Sequence, residues 1–468
     1  MRIEIKEKHE KVAKDLRTYL QNKGCSIIQE EVKTKNYIAD MVGFTISEKG
    51  KLTPEVVVEI TTTVNPNKQR QLFTISKQFG AKYALLVVLG EEEKKYWFDA
   101  VTSLPVEEPT FKSHSRYLLR NEDIENNLFK CFDILRGSLR PFEQIKLVLS
   151  MLLVRKYLLD IDNLEHWGNL GKESLTEVLY SASTYYALGK TDKIENISEK
   201  ALHKLIAEME QLPPVKEEYP NIFMGFVERL SSRDVGAYAT TRKLNDIVTK
   251  LISTLNIRSG KAIDLAAGFG FQLFSAMKEV KVDEFIGIEI NEEISELTNI
   301  LRLIGGYVGS KIIVDDGLQI KNDNTYTLVS FEPPIGSVAL GNKYIDFKIT
   351  NEGKRRRIDY SELFIEKAIE LAEGKGYIVA VVPEGILFSS SSELVRKLIL
   401  DKTIVKAVIS LPEHIKSPYT GIKLSILVLQ KKANENEEGV EFFAGKIDSL
   451  EDVDEVAGAF KKWNVKEV

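Results

Sequence analysis

Residues Ile263-Asp264-Leu265-Ala266-Ala267-Gly268-Phe269-Gly270-Phe271 run from a short apolar strand through two glycines into the start of a helical pattern. Gly-x-Gly at such a junction lets the backbone approach a ligand closely, with helix N–H groups facing it. By itself the pattern is shared by dinucleotide enzymes and by plain tight turns. Leu273 stands where the third glycine of a dinucleotide fingerprint falls, which speaks against that fingerprint. Downstream, apolar runs at 285–290, 311–314, 327–331, 377–382, 405–411 and 424–430 alternate with helical stretches. This alternation predicts a mostly parallel sheet with helices on both faces, and ligands on such sheets sit at the carboxyl ends of the strands.

Those ends carry polar chemistry. The second run ends Glu289-Ile290-Asn291, an acid placed to accept both hydroxyls of a ribose. The third ends Asp315-Asp316-Gly317, where Asp316 can accept from an adenine amino group. The fourth ends Phe331-Glu332-Pro333-Pro334-Ile335. Proline lacks the N–H that a central strand needs, so Pro-Pro belongs to a loop at the strand's end. There a carbonyl and the preceding acceptor can point at a substrate amino group, which favours a methyl donor over a nicotinamide.

The rest of the chain divides by pattern. Residues 1–103 read as an amphipathic start (Val12, Leu16, Tyr19, Leu20), strands near 37–44 and 55–60, a helix near 69–78 and an apolar run at 83–89. A joint rich in proline and charge follows at Ser103-Leu104-Pro105-Val106-Glu107-Glu108-Pro109. Residues 122–210 are helical in pattern, with Ile145, Val148, Leu149 and Leu152 recurring at helical spacing. A second joint, Leu212-Pro213-Pro214, precedes the sheet region 233–432, and 433–468 forms a C-terminal extension.

Composition sets outer limits. The 468 residues imply two to four domains, and 43% hydrophobic with 28% charged residues is globular rather than disordered. Lys+Arg number 64 against Asp+Glu 69, a net charge of −5 that argues against a freestanding basic DNA-coating protein. Two cysteines make no disulfide framework, five histidines show no metal-ligand spacing, and no apolar run is long enough to span a membrane. The expectation is a cytoplasmic chain with no resident metal site and no membrane partner.

With these residues in order, 233–432 resembles the catalytic domain of N6-adenine DNA methyltransferases, most of all the modification subunit of type I restriction systems. Residues 264–270 match the family's Asp-Pro-Ala-Cys-Gly-Thr-Gly at Asp264, Ala266, Gly268 and Gly270. Gly236-Ala237-Tyr238-Ala239-Thr240 resembles the family's Gly-x-Phe-Tyr-Thr-Pro segment, and Val382-Pro383-Glu384-Gly385-Ile386-Leu387-Phe388 its Val-Pro-Asp-Gly-Val-Leu-Phe. Leu411-Pro412-Glu413 and Thr420-Gly421-Ile422 continue the likeness, and 128–158, with Arg155-Lys156-Tyr157-Leu158, resembles the subunit's helical segment.

The resemblance implies a Rossmann-like sheet that takes S-adenosylmethionine on Tyr238, Thr240, Asp264, Ala266, Gly268, Gly270, Glu289 and Asp316. It places Glu332, Pro333, Pro334 and Ile335 at the catalytic motif, which in the family is Asn-Pro-Pro-aromatic and receives an adenine flipped out of the duplex. Glu332 is one methylene longer than asparagine, and a misplacement of about 1 Å can cost roughly 100-fold in rate. Ile335 has no π-face, where base stacking is worth roughly 1–3 kcal/mol. Phe269 and Phe271 crowd the cofactor loop. Two expectations stand side by side: a methyltransferase subunit with weakened cofactor binding and reduced activity, or a catalytically inactive DNA-, cofactor- or partner-binding module of a defence system.

At the N-terminus, Ile38-Ala39-Asp40 followed by Val57-Val58-Glu59-Ile60-Thr61 resembles the PD-(D/E)xK nuclease core, with Asp40 and Glu59 at the acids, Thr61 at the lysine position, and Gln71 in the following helix. Such a site would need Mg²⁺ if active, and Lys68 could supply the missing charge. The basic run Lys354-Arg355-Arg356-Arg357 suits phosphate contacts. The expected whole is a small restriction-endonuclease-like α/β domain, a helical connector and a methyltransferase sheet. Few residues follow the sheet, so its partners would be DNA, a separate specificity subunit and a restriction subunit. Alone, the chain should bind DNA weakly and lose that binding steeply with salt.

Overall fold

The structure, a computed structural model, describes residues 12–466 apart from 14, 18, 21, 26, 34–37, 47–51, 64, 91–92, 112–120, 190–196, 231–239, 308, 322–324, 354–356, 418, 435 and 440. The chain forms two compact units: residues 1–139 with 150–217, and residues 140–149 with 218–468.

The first unit holds a five-stranded sheet in the order β1 (Ile27–Lys33), β2 (Ile38–Ile46), β3 (Leu52–Thr61), β4 (Tyr83–Val88), β5 (Lys94–Asp99). Only the β3–β4 pair is parallel, and the helix Pro66–Phe79 makes its crossover. Asn65 caps that helix by accepting from Asn67 N–H, Pro66 enters its first turn, and Gly80 ends it with φ +67°. Alternate residues serve opposite faces: Met41, Val58 and Leu85 pack with Val12, Leu16 and Leu20, whereas Val42, Val57 and Leu86 pack with Leu72 and Ile75. β2, β3 and β4 fall where the apolar runs predict them. β1 and β5 are the sheet's edges, and sequences such as Lys94-Lys95 carry the charge that guards an edge and conceals a strand.

The same unit carries the helices Asn121–Leu135, Lys172–Tyr185 and Glu199–Met209 and the later turns of Pro141–Asp160. Buried Arg155 ties them: its Nη2 donates to Leu212 O at 2.8 Å, and its guanidinium lies 5.1 Å from the Trp167 ring. Trp167 in turn donates to Ile206 O at 3.0 Å.

The second unit is built on β6 (Lys261–Asp264), β7 (Glu284–Glu289), β8 (Ser310–Val314) and β9 (Tyr326–Phe331). A short ribbon follows, β10 (Val338–Leu340) with β11 (Arg357–Asp359), and then β12 (Ala372–Pro383), β13 (Thr403–Ser410), β14 (Leu424–Lys431) and β15 (Phe443–Lys446). The eight-stranded sheet runs β15-β13-β14-β12-β9-β6-β7-β8, and β14 lies antiparallel to both neighbours. The other pairs are parallel.

The central strands β6, β7, β9 and β14 are buried on both faces, which is why they read as unbroken apolar runs, whereas the edge strands β8 and β15 are partly exposed. Ile263, Ile288, Val329, Ile378 and Leu427 pack with the helices Tyr360–Leu371 and Glu393–Lys402, while Ala262, Phe285, Leu328, Val379 and Ile426 are buried on the other side. β15 and the helix Asp452–Lys466 complete the β13 edge, with Phe443, Phe460 and Trp463 in ring contact. β6 connects forward to β7 on one side and has β9 on the other, so the strand order reverses there. In open sheets that reversal is where a crevice forms at the carboxyl ends.

Candidate active site

Asp264 ends β6, and its Oδ1 accepts from Ala266 N–H at 3.1 Å. Burial pushes its carboxyl up to about 7, with the nearby negative charges of Glu332 and Glu289 adding to the rise and the Ala266 bond opposing it. Beyond it the chain turns through Gly268 (φ +52°) and Gly270 (φ +73°). A side chain at Gly270 would meet Thr298 Cγ2 at 2.7 Å and Phe274 Cε2 at 2.8 Å, whereas Gly268 faces open space. Thr298 Oγ1 donates to the Gly268 carbonyl at 2.7 Å and steadies the loop. Phe269 and Phe271 are buried and stack on each other with centroids 5.7 Å apart.

Glu289 ends β7 with both oxygens engaged: Oε2 accepts from Gly268 N–H at 2.9 Å and Oε1 from Asn291 N–H at 2.8 Å. Burial raises its pKa, and these backbone bonds oppose the rise. Ile290, the next residue, leaves 64% of its surface exposed beside this carboxylate. Asp316, past the end of β8, accepts from Leu318 N–H, Gln319 Nε2, Lys343 Nζ and the Tyr344 hydroxyl at 2.9–3.1 Å. Burial pushes its carboxyl up, yet those bonds together hold it below the ordinary range.

Glu332 leaves β9 at its carboxyl end, buried, with Pro333 and Ile335 buried and Pro334 partly so. Gly336 takes φ +74°, and Ser337 N–H returns to the Pro334 carbonyl at 3.1 Å, so the loop turns directly after Ile335. Glu332 Oε2 accepts from the Thr240 hydroxyl at 2.6 Å, and Oε1 forms an ion pair with Lys416. Phe331 stacks on Phe364 in the core, as its alternate side of the strand requires. Asp264, Glu289 and Glu332 are thereby three buried carboxylates at the ends of adjacent strands.

Among the residues singled out from sequence, Tyr238 and Lys354, Arg355 and Arg356 lie outside the described residues. Arg357 is exposed in β11. In the first unit Asp40 Oδ2 accepts from Ile60 N–H at 2.5 Å, and buried Glu59 holds the Lys68 ammonium at 2.5 Å. Thr61 donates to Thr63 O at 3.2 Å, and Gln71 is half-buried on the crossover helix. Among the described residues no group of three or more His, Cys, Asp or Glu converges on a metal-sized site, and no helix is long and apolar enough to cross a membrane. Lys416, Thr298, Lys343 and Tyr344 carry no local signature. Each reaches the site from 27 to 84 residues away in sequence.

The parallel sheet, its inserted antiparallel strand and the acidic strand ends define a fold of S-adenosylmethionine-dependent methyltransferases. A Listeria monocytogenes structure assigned to the class I enzymes of that kind superposes with TM-score 0.51 at 17% identity, over 73% of this chain and 98% of the other. The chain belongs to the N-6 DNA methylase family, whose profile matches residues 218–467. It is homologous to methylase subunits of type I restriction enzymes. It is 26% identical over 126 residues to that of the Escherichia coli enzyme EcoEI (24% of this chain, 25% of the relative). To that of the Mycoplasma pneumoniae enzyme MpnII it is 24% identical over 225 residues (43% and 41%). The matched segments thus span less than half the length of these relatives.

Proposed function

We propose that the chain is the modification subunit of a type I restriction–modification system and transfers a methyl group from S-adenosylmethionine to the N6 amine of adenine in DNA. The observation that carries the proposal is the acceptor loop Glu332-Pro333-Pro334, which leaves β9 beside Asp264 so that the two carboxylates feel each other's charge. The residues present fit the cofactor. Gly268 opens onto free space, and a carboxylate has about four lone-pair sites, so Glu289 retains capacity for ribose hydroxyls beyond its two backbone donors. Exposed Ile290 offers an aliphatic surface to a base ring.

When bound, S-adenosylmethionine supplies a methyl group made electrophilic by its sulfonium. Asp264, Glu289 and Asp316 bind and orient from the ends of β6, β7 and β8, with Thr240, Ala266, Gly268 and Gly270 along the approach, and Tyr238 is a further proposed cofactor contact. Glu332 and the Pro333 carbonyl hold the acceptor amine, and positioning of this kind is most of what methyl transfer needs from a protein. Ile335, 3% exposed, gives the flipped base no aromatic partner, so turnover is slower than in a site built with one.

DNA, a specificity subunit and a restriction subunit complete the assembly, with the basic run 354–357 on phosphates. The first-unit sheet is read as a PD-(D/E)xK-like remnant in which the Lys68 ammonium occupies Glu59, and Mg²⁺ has no part in methyl transfer. Titration of the full chain with S-adenosylmethionine by calorimetry, followed by labelled methyl transfer to unmethylated DNA in the presence of its specificity subunit, tests both halves. Saturable cofactor binding with measurable transfer supports the proposal, and its absence refutes it.

A further inference from the structure

The Lys416 side chain is 1% exposed, and its ammonium sits on Glu332, whose own side chain is 5% exposed. A buried ion pair is a poor device for stability alone, because removing both charges from water is seldom offset by their attraction. An amide in place of Glu332 would need no counter-ion. The lysine is also held for its position by the backbone around it. Lys416 lies in the turn 413–417 between β13 and β14, where Ser417 N–H donates to His414 O at 2.8 Å and Tyr419 N–H to Lys416 O at 2.7 Å. Its neighbour Ile415 accepts from the Thr241 hydroxyl at 2.9 Å, and the Tyr419 hydroxyl donates to Val227 O at 3.2 Å. Thr240 and Thr241, side by side, therefore hold the Glu332 carboxylate and the backbone that delivers Lys416 to it.

We infer, on the methyltransferase reading above, that Lys416 is a positioning residue for the acceptor amine. With Thr240 it fixes both oxygens of Glu332, so a carboxylate longer than the family's amide presents its remaining lone pairs in one place. Three segments distant in sequence, at 240, 332 and 416, converge on that carboxylate, and a loop free to swing could not present it repeatably.

The test is single-turnover transfer of a labelled methyl group to unmethylated plasmid DNA by the full chain together with its specificity subunit, alongside calorimetric titration of the chain with S-adenosylmethionine and thermal unfolding. The variants are Lys416→Met, Glu332→Gln and the two together. Lys416→Met is expected to slow transfer at least tenfold while cofactor affinity changes less than threefold. The double variant, with no buried charge left unpaired, is expected to melt higher and transfer faster than either single variant. This holds even where a single variant fails to fold. A Lys416→Met chain that transfers at the wild-type rate, or a double variant no faster than the slower single one, overturns the inference. A wild type that binds the cofactor but transfers nothing overturns it too and leaves the cofactor half of the reading intact. A wild type that binds no cofactor overturns the reading itself.

Discussion

Gly268 N–H donates to Glu289 Oε2 at 2.9 Å, so the glycine loop after β6 is tied to the carboxylate that ends β7. One side chain thus shapes the loop and, on the proposed reading, also receives the ribose. Hydrogen bonds to charged groups contribute about 1.5–3 kcal/mol. Glu289→Ala should therefore weaken S-adenosylmethionine binding at least tenfold and lower the melting temperature as well. Calorimetry and thermal unfolding check the two effects, and unchanged affinity would exclude Glu289 from the cofactor site.

The two loop glycines should differ in their tolerance. Alanine at either position pays about 1–2 kcal/mol for the left-handed backbone. At Gly270 the new carbon also meets Thr298 and Phe274 below 3 Å, an overpacking that adds about 1–3 kcal/mol, whereas Gly268 faces open space. Urea denaturation should rank Gly270→Ala as clearly less stable than Gly268→Ala. Equal stabilities would mean the loop relaxes away from the helix Glu292–Gly305, where Thr298 lies.

Asp264 gives the second unit an acid-favoured stability. Its carboxyl is held near 7 in the fold, chiefly by burial, against an ordinary value of 3.8. Between those values the native chain keeps a proton that the unfolded chain has released. Stability should therefore fall as pH rises from about 4 through 7. Denaturation midpoints between pH 5 and 8 should show this decline, and Asp264→Asn should flatten it. A wild-type profile that rises over that window would contradict the assignment.

The Lys68 ammonium at 2.5 Å from Glu59 Oε1, and the Ile60 N–H on Asp40, engage the two acids of the β2–β3 hairpin. Plasmid incubated with the chain and Mg²⁺ should remain supercoiled. Nicking that disappears in Asp40→Ala would show a working nuclease instead.

Much of the second unit was legible in sequence because its central strands are buried on both faces. Seven strands appear as apolar runs with polar residues placed at their ends, the partly exposed edge strand β8 among them. Asp264, Glu289 and Glu332 stand out in sequence because each is a carboxylate at the carboxyl end of an apolar run, where ligands sit on such sheets. Other parts lay beyond local reading. β1 and β5 carry edge charges, and β15 has only four residues with half-exposed alternation. Phe269 and Phe271 look like obstructions in sequence, yet they stack on each other inside the fold. Lys416 gives no signal at all, since a lysine near a turn reads as solvated. Only the fold brings it to Glu332 across 84 residues.

On the proposed function, adenine is methylated at N6 through the site joining β6, β7 and β9. Mass spectrometry of nucleosides from DNA incubated with the full chain, its specificity subunit and S-adenosylmethionine tests this most directly, with Asp264→Ala as control. N6-methyladenine is expected from the wild type, with a large loss in the variant. Methylated cytosine instead, or no methylated nucleoside at all, would contradict it.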